Sequence, residues 1–412
     1  MLSARQMSSK TTIVPRRHFL RCVGAGLAVA TAQTSSIGAT AGDPPKSFPR
    51  QKVAYPIFGN LTPVFASPDR VIRETVGLRP FRESGPNLTV EKIGSKTVAH
   101  NYGHGGSGWS LSWGSSAEAV SKALESGENR YAVIGCGALG ITSAILLQKA
   151  GKQVTIYTKD RHPNITSSVA TGVWSPDSRI CLEPYATEAF GQWWSATCRN
   201  SFKTYQSYIG LPGEPVEWVE SYNVSDRPWD VVAEERKKEE GLKFGHFNDY
   251  VRDLTPASVD LAPRDNPFSE PYAKKGTRMI FNISSYIRVL IEEFASLGGR
   301  IESRAFHQAS DLVNLSEKTI INASGLGSKI LFSDKKMRPV RGQLCALIPQ
   351  AEVRYNFSNN DAYTIARKDG IIIGASKNGI IDSTNLDFDP VQNSESILAI
   401  ARSMQGLKTF GS

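Results

Sequence analysis

The sequence predicts an α/β fold built around a Rossmann-like βαβ unit. One observation is a strand–turn–helix–strand pattern over residues 130–160, in which three glycines occupy the turn. A second is length, because 412 residues are enough for one large domain or two interleaved ones even after an N-terminal segment is set aside.

Residues 1–41 resemble a bacterial twin-arginine export signal. Arg16 and Arg17 precede a mildly apolar run over residues 22–32, and small residues at 39–41 offer a cleavage site. This predicts a periplasmic or secreted protein that uses the twin-arginine export machinery; an amphipathic or disordered tail is the alternative. The apolar run is shorter than the roughly 20 residues of a spanning helix, so no stable membrane anchor is expected.

Charge and cysteine usage exclude two classes of function. Removing residues 1–41, which hold five basic residues and no acidic one, lowers the formal charge from +9 to +4, too small an excess to indicate nucleic-acid binding. The four remaining cysteines form no CxxC pair, so no metal site is expected. Cys181 and Cys198 are the only pair close in sequence, and an oxidising compartment would permit a disulfide between them without requiring it.

The βαβ unit predicts a dinucleotide site. An apolar strand at 131–134 runs through G-x-G-x-x-G into a helix at 138–150 and a second strand at 154–157. Glycines there allow a tight turn and close approach to a diphosphate, and the helix start supplies free N–H groups. A purely structural glycine turn is the alternative, and the turn alone does not separate NAD from FAD. The predicted contacts are Gly135, Gly137, Ala138 and Gly140.

The end of the second strand departs from the usual dinucleotide pattern. An acidic residue commonly holds the adenosine ribose there, whereas this chain has Thr158, Lys159 and Asp160. Either Asp160 turns toward the ribose or Lys159 faces the nucleotide, so both are candidate cofactor contacts.

The segment IYTKDRHPNITSSVATGVWSP, residues 156–176, resembles the stretch after the second strand in D-amino-acid oxidases and D-aspartate oxidases. In that FAD-dependent family, a Thr/Ser-rich loop followed by A-x-G-[LV]-W contacts the flavin diphosphate and ring. The resemblance therefore implies FAD as the cofactor. The contacts that it implies are Thr166, Ser167, Ala170, Gly172 and Val173.

Other motifs of this family are present in an unusual order. Residues 320–348 and 361–376 resemble its later strands and its substrate-roof hairpin, with Tyr363 at the position of an active-site tyrosine. GLRPFR at 77–82 and HNYGHGGSG at 100–108 resemble motifs that usually come last, yet here they precede the βαβ unit. We interpret the sequence as a circular permutation of the family.

The resemblance implies an FAD-binding Rossmann-like domain of the glutathione-reductase type, interleaved with a substrate domain on a mostly antiparallel sheet. The predicted segments are a signal peptide (1–41), a permuted block with the substrate arginine and flavin helix (42–125), the FAD-binding βαβ unit and flavin loop (126–190), mainly substrate domain (191–310), a return to the FAD-binding domain (311–345), and the substrate-domain hairpin and closing helix (346–412).

The second glycine turn, at 103–108, is expected to open a helix whose N-terminus points at the pyrimidine end of the flavin, where negative charge develops on reduction. A loop or helix-capping glycine cluster is the alternative, and His104 is interpreted as a structural loop residue. The candidate backbone donors are Gly106, Gly108, Trp109 and Ser110.

The resemblance maps Arg79 onto the arginine that binds the substrate carboxylate, a role that suits the two parallel donors of a guanidinium. Tyr363 would add a hydroxyl or close the pocket. A further hypothesis is that Lys377 or Arg367 contacts an acidic side chain of the substrate.

These matches imply oxidative deamination of D-amino acids. A hydride would pass from the substrate Cα to flavin N5, and dioxygen would be reduced to hydrogen peroxide. A related FAD-dependent amine or amino-acid dehydrogenase, with another substrate or electron acceptor, is the first alternative, and a non-catalytic flavin-binding protein is the second. The expected partners are a small amino acid and dioxygen; the sequence permits a homodimer without requiring one.

Overall fold

A computed structural model describes residues 61–238, 240–376 and 379–408. The predicted export signal at 1–41 and Lys377 lie outside the described residues, so both remain predictions. Across the described ranges, no helix combines the length and the apolar character that crossing a membrane requires.

Two sheets organise this part of the chain. Its strands are β1 Val71–Arg82, β2 Val90–Ile93, β3 Lys96–His100, β4 Arg130–Ile134, β5 Gln153–Thr158, β6 Val216–Ser225, β7 Val259–Asp260, β8 Tyr272–Phe281, β9 Arg300–Ser303, β10 Thr319–Asn322, β11 Met337–Leu347, β12 Tyr355–Ser358, β13 Ala362–Arg367, β14 Gly370–Ala375 and β15 Ile380–Ile381. Its α-helices are α1 Gly108–Leu124, α2 Ala138–Lys149, α3 Glu188–Tyr205, α4 Trp229–Lys238, α5 Ile283–Ser296, α6 Ser328–Leu331 and α7 Pro390–Gln405.

The first sheet has six strands in the order β2-β3-β10-β4-β5-β9, and every neighbouring pair except β2 and β3 is parallel. Tyr131 and Val133 of β4 belong to an apolar cluster that α1, α2 and α5 also line, whereas Ala132 and Ile134 belong to a second cluster. Because successive side chains of a strand point to opposite faces, both faces of this sheet are covered, as parallel sheets require.

Both glycine turns lie at one edge of this sheet. The turn at 103–108 follows β3 and leads into α1, and the turn at 135–140 follows β4 and leads into α2. Since β3 and β4 each pair in parallel with β10, their carboxyl ends meet at the same edge. The predicted strand–turn–helix–strand unit is confirmed, with its helix ending at Lys149 just before Gly151, whose φ is +76°.

The second sheet has nine strands. Its main path is β1-β11-β14-β13-β12-β6-β8-β7, and β15 pairs with β11. Among these described strands only the β6–β12 pair is parallel, so the predicted mostly antiparallel sheet is confirmed. β1 pairs with β11 over its whole length, and this register places Gly77 opposite Gly342 and Arg79 opposite Val340.

The chain passes between the two sheets more often than the predicted segments suggest. β9, inside the segment 191–310 that was assigned mainly to the substrate domain, pairs with β5 in the six-stranded sheet. β11, which begins inside 311–345, belongs to the nine-stranded sheet. Both differences arise because strand partners are chosen by contacts distant in sequence, which local patterns do not encode.

The described cysteines are thiols. Cys181 and Cys198 are both free and buried in one apolar cluster, and burial raises the pKa of each to about 12. The disulfide that the sequence left open is therefore not formed between them. Within the described ranges, no group of three or more His, Cys, Asp or Glu side chains is placed to hold a metal ion.

Candidate cofactor and substrate site

The G-x-G-x-x-G turn brings the start of α2 directly against the end of β4. Gly135 has a φ of +97°, and its N–H donates to the carbonyl of Tyr157 at 2.8 Å. A β-carbon on Gly140 would overlap the carbonyl oxygen of Gly135. The absence of a side chain on Gly140 thus lets the helix start pack directly against the turn, as a dinucleotide-binding turn requires.

Ser167 connects this turn with the second glycine-rich segment. Its hydroxyl accepts a hydrogen bond from the Ala138 N–H at 2.9 Å, at the first residue of α2. Its carbonyl accepts one from the indole N–H of Trp109, in the first turn of α1, also at 2.9 Å. Three stretches that the sequence assigned to the cofactor therefore meet at one residue. A hydroxyl beside free helix N–H groups suits a phosphate, so the residues present fit an FAD diphosphate.

Residues 166–174, which the sequence predicts to contact the flavin, are here called the flavin loop. The nine-stranded sheet holds the rest of this loop. Thr166 opens a short 3-10 turn, and the carbonyl of Gly172 accepts a hydrogen bond from the Phe281 N–H at 2.6 Å. Val173 forms an isolated bridge with Ile280. These contacts set the course of the loop across β8, while the flavin contacts predicted for Thr166, Ala170, Gly172 and Val173 remain predictions.

Arg367 holds this loop, and the hypothesis that it contacts a substrate side chain is wrong. Its side chain is 3% exposed, and its Nε lies 2.8 Å from a carboxylate oxygen of Asp369. Its Nη1 donates to the carbonyl of Ala170 at 2.9 Å. With its donors directed to Asp369 and the loop backbone, the guanidinium is already engaged.

The N-terminus of α1 supplies three of the four predicted backbone donors. The N–H of Gly106 donates to the carbonyl of Ser178 at 2.9 Å. Because this N–H is already engaged, Gly106 is no longer a candidate donor to the flavin. Gly108, Trp109 and Ser110 form the first turn of α1, where no preceding helical carbonyl is in place to accept their N–H groups. Their contact with the flavin remains a prediction.

The conformation at the end of β5 does not distinguish between Lys159 and Asp160 as the residue that would contact the adenosine ribose. Lys159 and Asp160 are both exposed, and the Thr158 hydroxyl donates to the backbone carbonyl of Asp160 at 2.7 Å. Arg161 is tied to the neighbouring strand through the carbonyl of Ile301 at 2.8 Å. Both candidates therefore remain predictions.

Arg79 lies on the face of β1 that the flavin loop covers. Gly77, two residues earlier and on the same face, is packed so closely that a β-carbon there would lie 2.7 Å from Val169. A β-carbon on Gly342 would overlap the Arg79 guanidinium, so the guanidinium lies flat over this glycine. Its Nη1 is buried and has no hydrogen-bond partner among the described residues.

Tyr363 lies on β13 of the same sheet, separated from β1 by the two strands β11 and β14. It pairs with Gly374 of β14, and its hydroxyl occupies the space where a β-carbon of that glycine would stand. That space also approaches Leu344 of β11, which shares its face with Gly342. The sheet therefore presents Arg79 and Tyr363 on one face, above glycines that leave them room.

The structure adds Arg179, which no motif in the sequence singles out. Burial and the nearby charge of Arg79 lower the pKa of Arg179 to about 10, whereas Tyr363 acts in the opposite direction. Arg179 is distant from both partners along the chain, so only the fold brings it beside them.

His104 is a structural residue of the second glycine turn, as the sequence suggested. It is fully buried, and its Nε2 lies 2.7 Å from the hydroxyl of Ser115, which in turn donates to Asn101 at 2.8 Å. Burial lowers the pKa of His104 to about 3. The imidazole is therefore neutral near pH 7.

We expect His104 to make the folded protein sensitive to acid. Its pKa is about 3 in the folded protein, against 6.5 for an unperturbed histidine, so its contribution is complete above pH 6.5 and is lost as pH falls toward 3. The expected loss is up to about 1.4 kcal/mol per pH unit within that window. Denaturant unfolding at pH 7, 6 and 5 with a fixed excess of FAD should show a shallower pH dependence for His104→Gln than for the wild type.

His307, an exposed histidine, provides the matched control. His307→Gln should retain the wild-type pH dependence of the free energy of unfolding. Equal slopes for the wild type and His104→Gln would contradict the assignment of a buried neutral imidazole.

Comparisons with known proteins agree with the family resemblance that the sequence motifs indicate. A protein-family model described as "DAO: FAD dependent oxidoreductase" matches residues 130–407, beginning at the first residue of β4. The D-amino-acid oxidase of Dictyostelium discoideum is 26% identical over 251 residues, which cover 59% of this chain and 64% of that protein. The D-amino-acid oxidase of Streptomyces coelicolor is 26% identical over 218 residues, which cover 53% and 58%. The chain thus spans less than two thirds of the length of these two relatives.

Solved structures are similar at lower identity. The glycine oxidase of Geobacillus kaustophilus is 12% identical with a TM-score of 0.45, over 69% of this chain and 81% of that one. The L-proline dehydrogenase of P. horikoshii is 14% identical with a TM-score of 0.46, over 69% and 80%.

Proposed function

Because the chain belongs to the DAO family of FAD-dependent oxidoreductases, we propose that it catalyses the oxidative deamination of D-amino acids with dioxygen as the electron acceptor. Two relatives that carry the name D-amino-acid oxidase support the substrate class. The observation that carries the proposal is the buried, unpartnered Nη1 of Arg79 on the sheet face that the flavin loop covers, its lack of a partner being established among the described residues.

Arg79 would bind the carboxylate of the amino acid. A buried N–H without a partner costs free energy, and a carboxylate offers the parallel acceptors that a guanidinium matches best. Because the guanidinium lies flat over Gly342, the bound carboxylate would approach it from the side away from this glycine. Tyr363, on the same face, would donate its hydroxyl to the carboxylate or close the pocket above it.

The chain's contribution to FAD is binding and electrostatic orientation. Ser167 and the start of α2 would hold the diphosphate, and the first turn of α1 would direct N–H groups at the ring. When bound, FAD supplies the two-electron acceptor for the amine. The partial positive charge of a helix N-terminus favours an anionic neighbour, which suits a ring that gains negative charge.

We also propose that the chain is a circularly permuted member of its family. The family match begins at β4, yet strands that precede it complete both sheets: β3 pairs with β10, and β1 pairs with β11. The Pro80 carbonyl accepts the N–H of Gly105 at 2.9 Å, so the arginine motif and the second glycine turn are in contact. This arrangement supports a single site assembled from swapped blocks.

The test is an oxygen-uptake and peroxide assay with both enantiomers of a panel of amino acids, after an absorption spectrum has established the flavin content. Each turnover should consume one D-amino acid, one dioxygen and one water, and release one 2-oxo acid, one ammonia and one hydrogen peroxide. L-enantiomers should not react.

Three outcomes would contradict this proposal. Flavin bleaching by D-amino acids without oxygen uptake would assign a dehydrogenase with another acceptor. Turnover of L-enantiomers alone would reverse the stereochemistry. A flavoprotein that no amino acid or amine reduces would be a non-catalytic flavin-binding protein.

A further inference from the structure

Resting on the proposed function, we infer that Arg341 is a positioning residue, which fixes the orientation of the Arg79 guanidinium from the opposite face of the sheet. It acts through residues 379–389, here called the strap, which run from a contact with Arg79 to the start of α7. Arg341 itself would touch neither the substrate nor FAD. The carboxylate of the substrate would therefore meet a guanidinium whose plane is set before binding.

The strap begins beside the Arg79 guanidinium. A β-carbon on Gly379 would lie 3.1 Å from Nη1 of Arg79, and it would overlap the carbonyl oxygen of Arg341. Gly342 lies under the same nitrogen, since a β-carbon there would overlap it as well. Two glycines from separate segments therefore enclose Nη1, which accounts for its burial. A guanidinium packed between two bare backbones has little freedom to rotate.

Strand pairing sets the position of the first residues of the strap. β15 pairs with β11, so that Ile381 stands opposite Val340. On its other side, Val340 stands opposite Arg79 of β1. Gly379 immediately precedes β15, so the main-chain pairing of β15 brings this glycine to the level of Arg79. The position of Gly379 therefore depends on how firmly the rest of the strap is held.

Arg341 holds the middle of the strap. Because successive side chains of a strand alternate, Arg341 points away from the face that Gly342 and Arg79 share. Arg341 is 6% exposed, its Nε donates to the carbonyl of Asn385 at 3.0 Å, and its Nη2 donates to the carbonyl of Asp387. One cation thus satisfies two backbone acceptors of the strap, and hydrogen bonds from a charged donor are roughly twice as strong as neutral ones.

Gln343, the next residue on that face, holds the far end of the strap. Its side-chain N–H donates to the carbonyl of Asp389 at 2.8 Å, and its Oε1 accepts the Asp389 N–H at 2.9 Å. The Nη2 of Arg341 also donates to this Oε1, at 3.2 Å. The Asp389 carboxylate in turn accepts two N–H groups in the first turn of α7, at 3.0 and 3.1 Å. The strap is therefore anchored at both ends, by strand pairing beside Arg79 and by a helix cap.

The role of the strap follows from what a carboxylate needs. A guanidinium offers two parallel donors only when its plane is aligned with the carboxylate. If the strap loosens, Gly379 moves away and Arg79 gains rotational freedom that it must lose again on binding. The substrate then binds more weakly. FAD binding should be unaffected, because Ser167 and the start of α2 lie outside the strap.

The experiment measures carboxylate binding without turnover. Propionate, which is D-alanine without its amine, should perturb the flavin absorbance of the FAD-loaded wild type. Arg341→Met should raise the dissociation constant of propionate by about 10-fold or more, the effect of one charge-assisted hydrogen bond. Arg341→Lys, which keeps the charge but lacks the fixed fork of a guanidinium, should give an intermediate value. Hydrogen exchange over residues 379–389 should be faster in Arg341→Met, and KM for D-alanine should rise by a larger factor than kcat falls.

Gly379→Ala tests the same inference with Arg341 left in place. Its β-carbon would crowd Nη1 of Arg79 and displace the start of the strap, so propionate should bind about 5- to 100-fold more weakly. Arg354→Met is the matched control for Arg341→Met, because Arg354 is exposed and also donates to a backbone carbonyl, that of Ala351 in the loop after β11. It should bind propionate as the wild type does.

The two proposals fail in different ways. If propionate binding responds to the variants as expected but no D-amino acid reduces the flavin, the proposed reaction is wrong and the role of the strap stands. If propionate leaves the wild-type spectrum unchanged, or if Arg341→Met binds propionate as tightly as the wild type, the role of Arg341 is overturned. If Arg341→Met does not fold, Gly379→Ala decides, because unchanged propionate binding in that variant would overturn the role of the strap.

Discussion

Replacing Arg79 with methionine is expected to lower kcat/KM for D-amino acids by about 10²- to 10⁴-fold while FAD stays bound. Two charge-assisted hydrogen bonds to the substrate carboxylate would be lost, each worth roughly 1.5–3 kcal/mol. The buried Nη1 has no partner among the described residues, so its removal breaks no hydrogen bond between that atom and them. Steady-state oxygen uptake measures the loss, and the flavin absorbance of the purified variant measures the cofactor content.

The control for Arg79→Met is Arg264→Met, which removes the same charge from a side chain that is 89% exposed. It should retain wild-type kcat/KM. An Arg79→Met protein that binds FAD and turns over D-amino acids at the wild-type rate would remove the carboxylate site from this face of the sheet.

Replacing Gly140 with alanine is expected to weaken FAD binding by roughly 10- to 100-fold and to lower thermal stability. The added β-carbon would overlap the carbonyl of Gly135, so α2 must move away from the turn that its N-terminus closes. Overpacking of this kind costs about 1–3 kcal/mol. Titration of the FAD-free protein, followed by quenching of flavin fluorescence, measures the dissociation constant.

Gly327→Ala is the matched glycine substitution. Gly327 has a φ of −57°, and an added β-carbon would contact Ser324 at an ordinary 3.4 Å. It should bind FAD as the wild type does. If Gly140→Ala also bound FAD with unchanged affinity, the diphosphate would have to lie elsewhere than at the start of α2.

Sequence reasoning succeeded where the signal is local. The G-x-G-x-x-G turn and the helix that ends before Gly151 are both encoded by neighbouring residues, because turn geometry and helix ends depend on short-range sterics. The family match over 130–407 agrees with that part of the prediction.

The errors concern residues whose partners lie far along the chain. Arg367 was a plausible substrate contact until the fold placed Asp369 and the Ala170 carbonyl around it. Gly106 was a plausible flavin donor until the Ser178 carbonyl took its N–H. No sequence motif pointed to Arg179, because its position depends on how its loop packs on the second glycine turn.

The position of β10 determines the order in which this molecule can be assembled. β10 separates β3 from β4 in the sheet and pairs with both, yet it begins at Thr319, long after β4 has ended at Ile134. A nascent polypeptide therefore exposes both glycine turns well before the strand that joins them leaves the ribosome. Closing such a long loop delays pairing, so the six-stranded sheet is completed only late in translation.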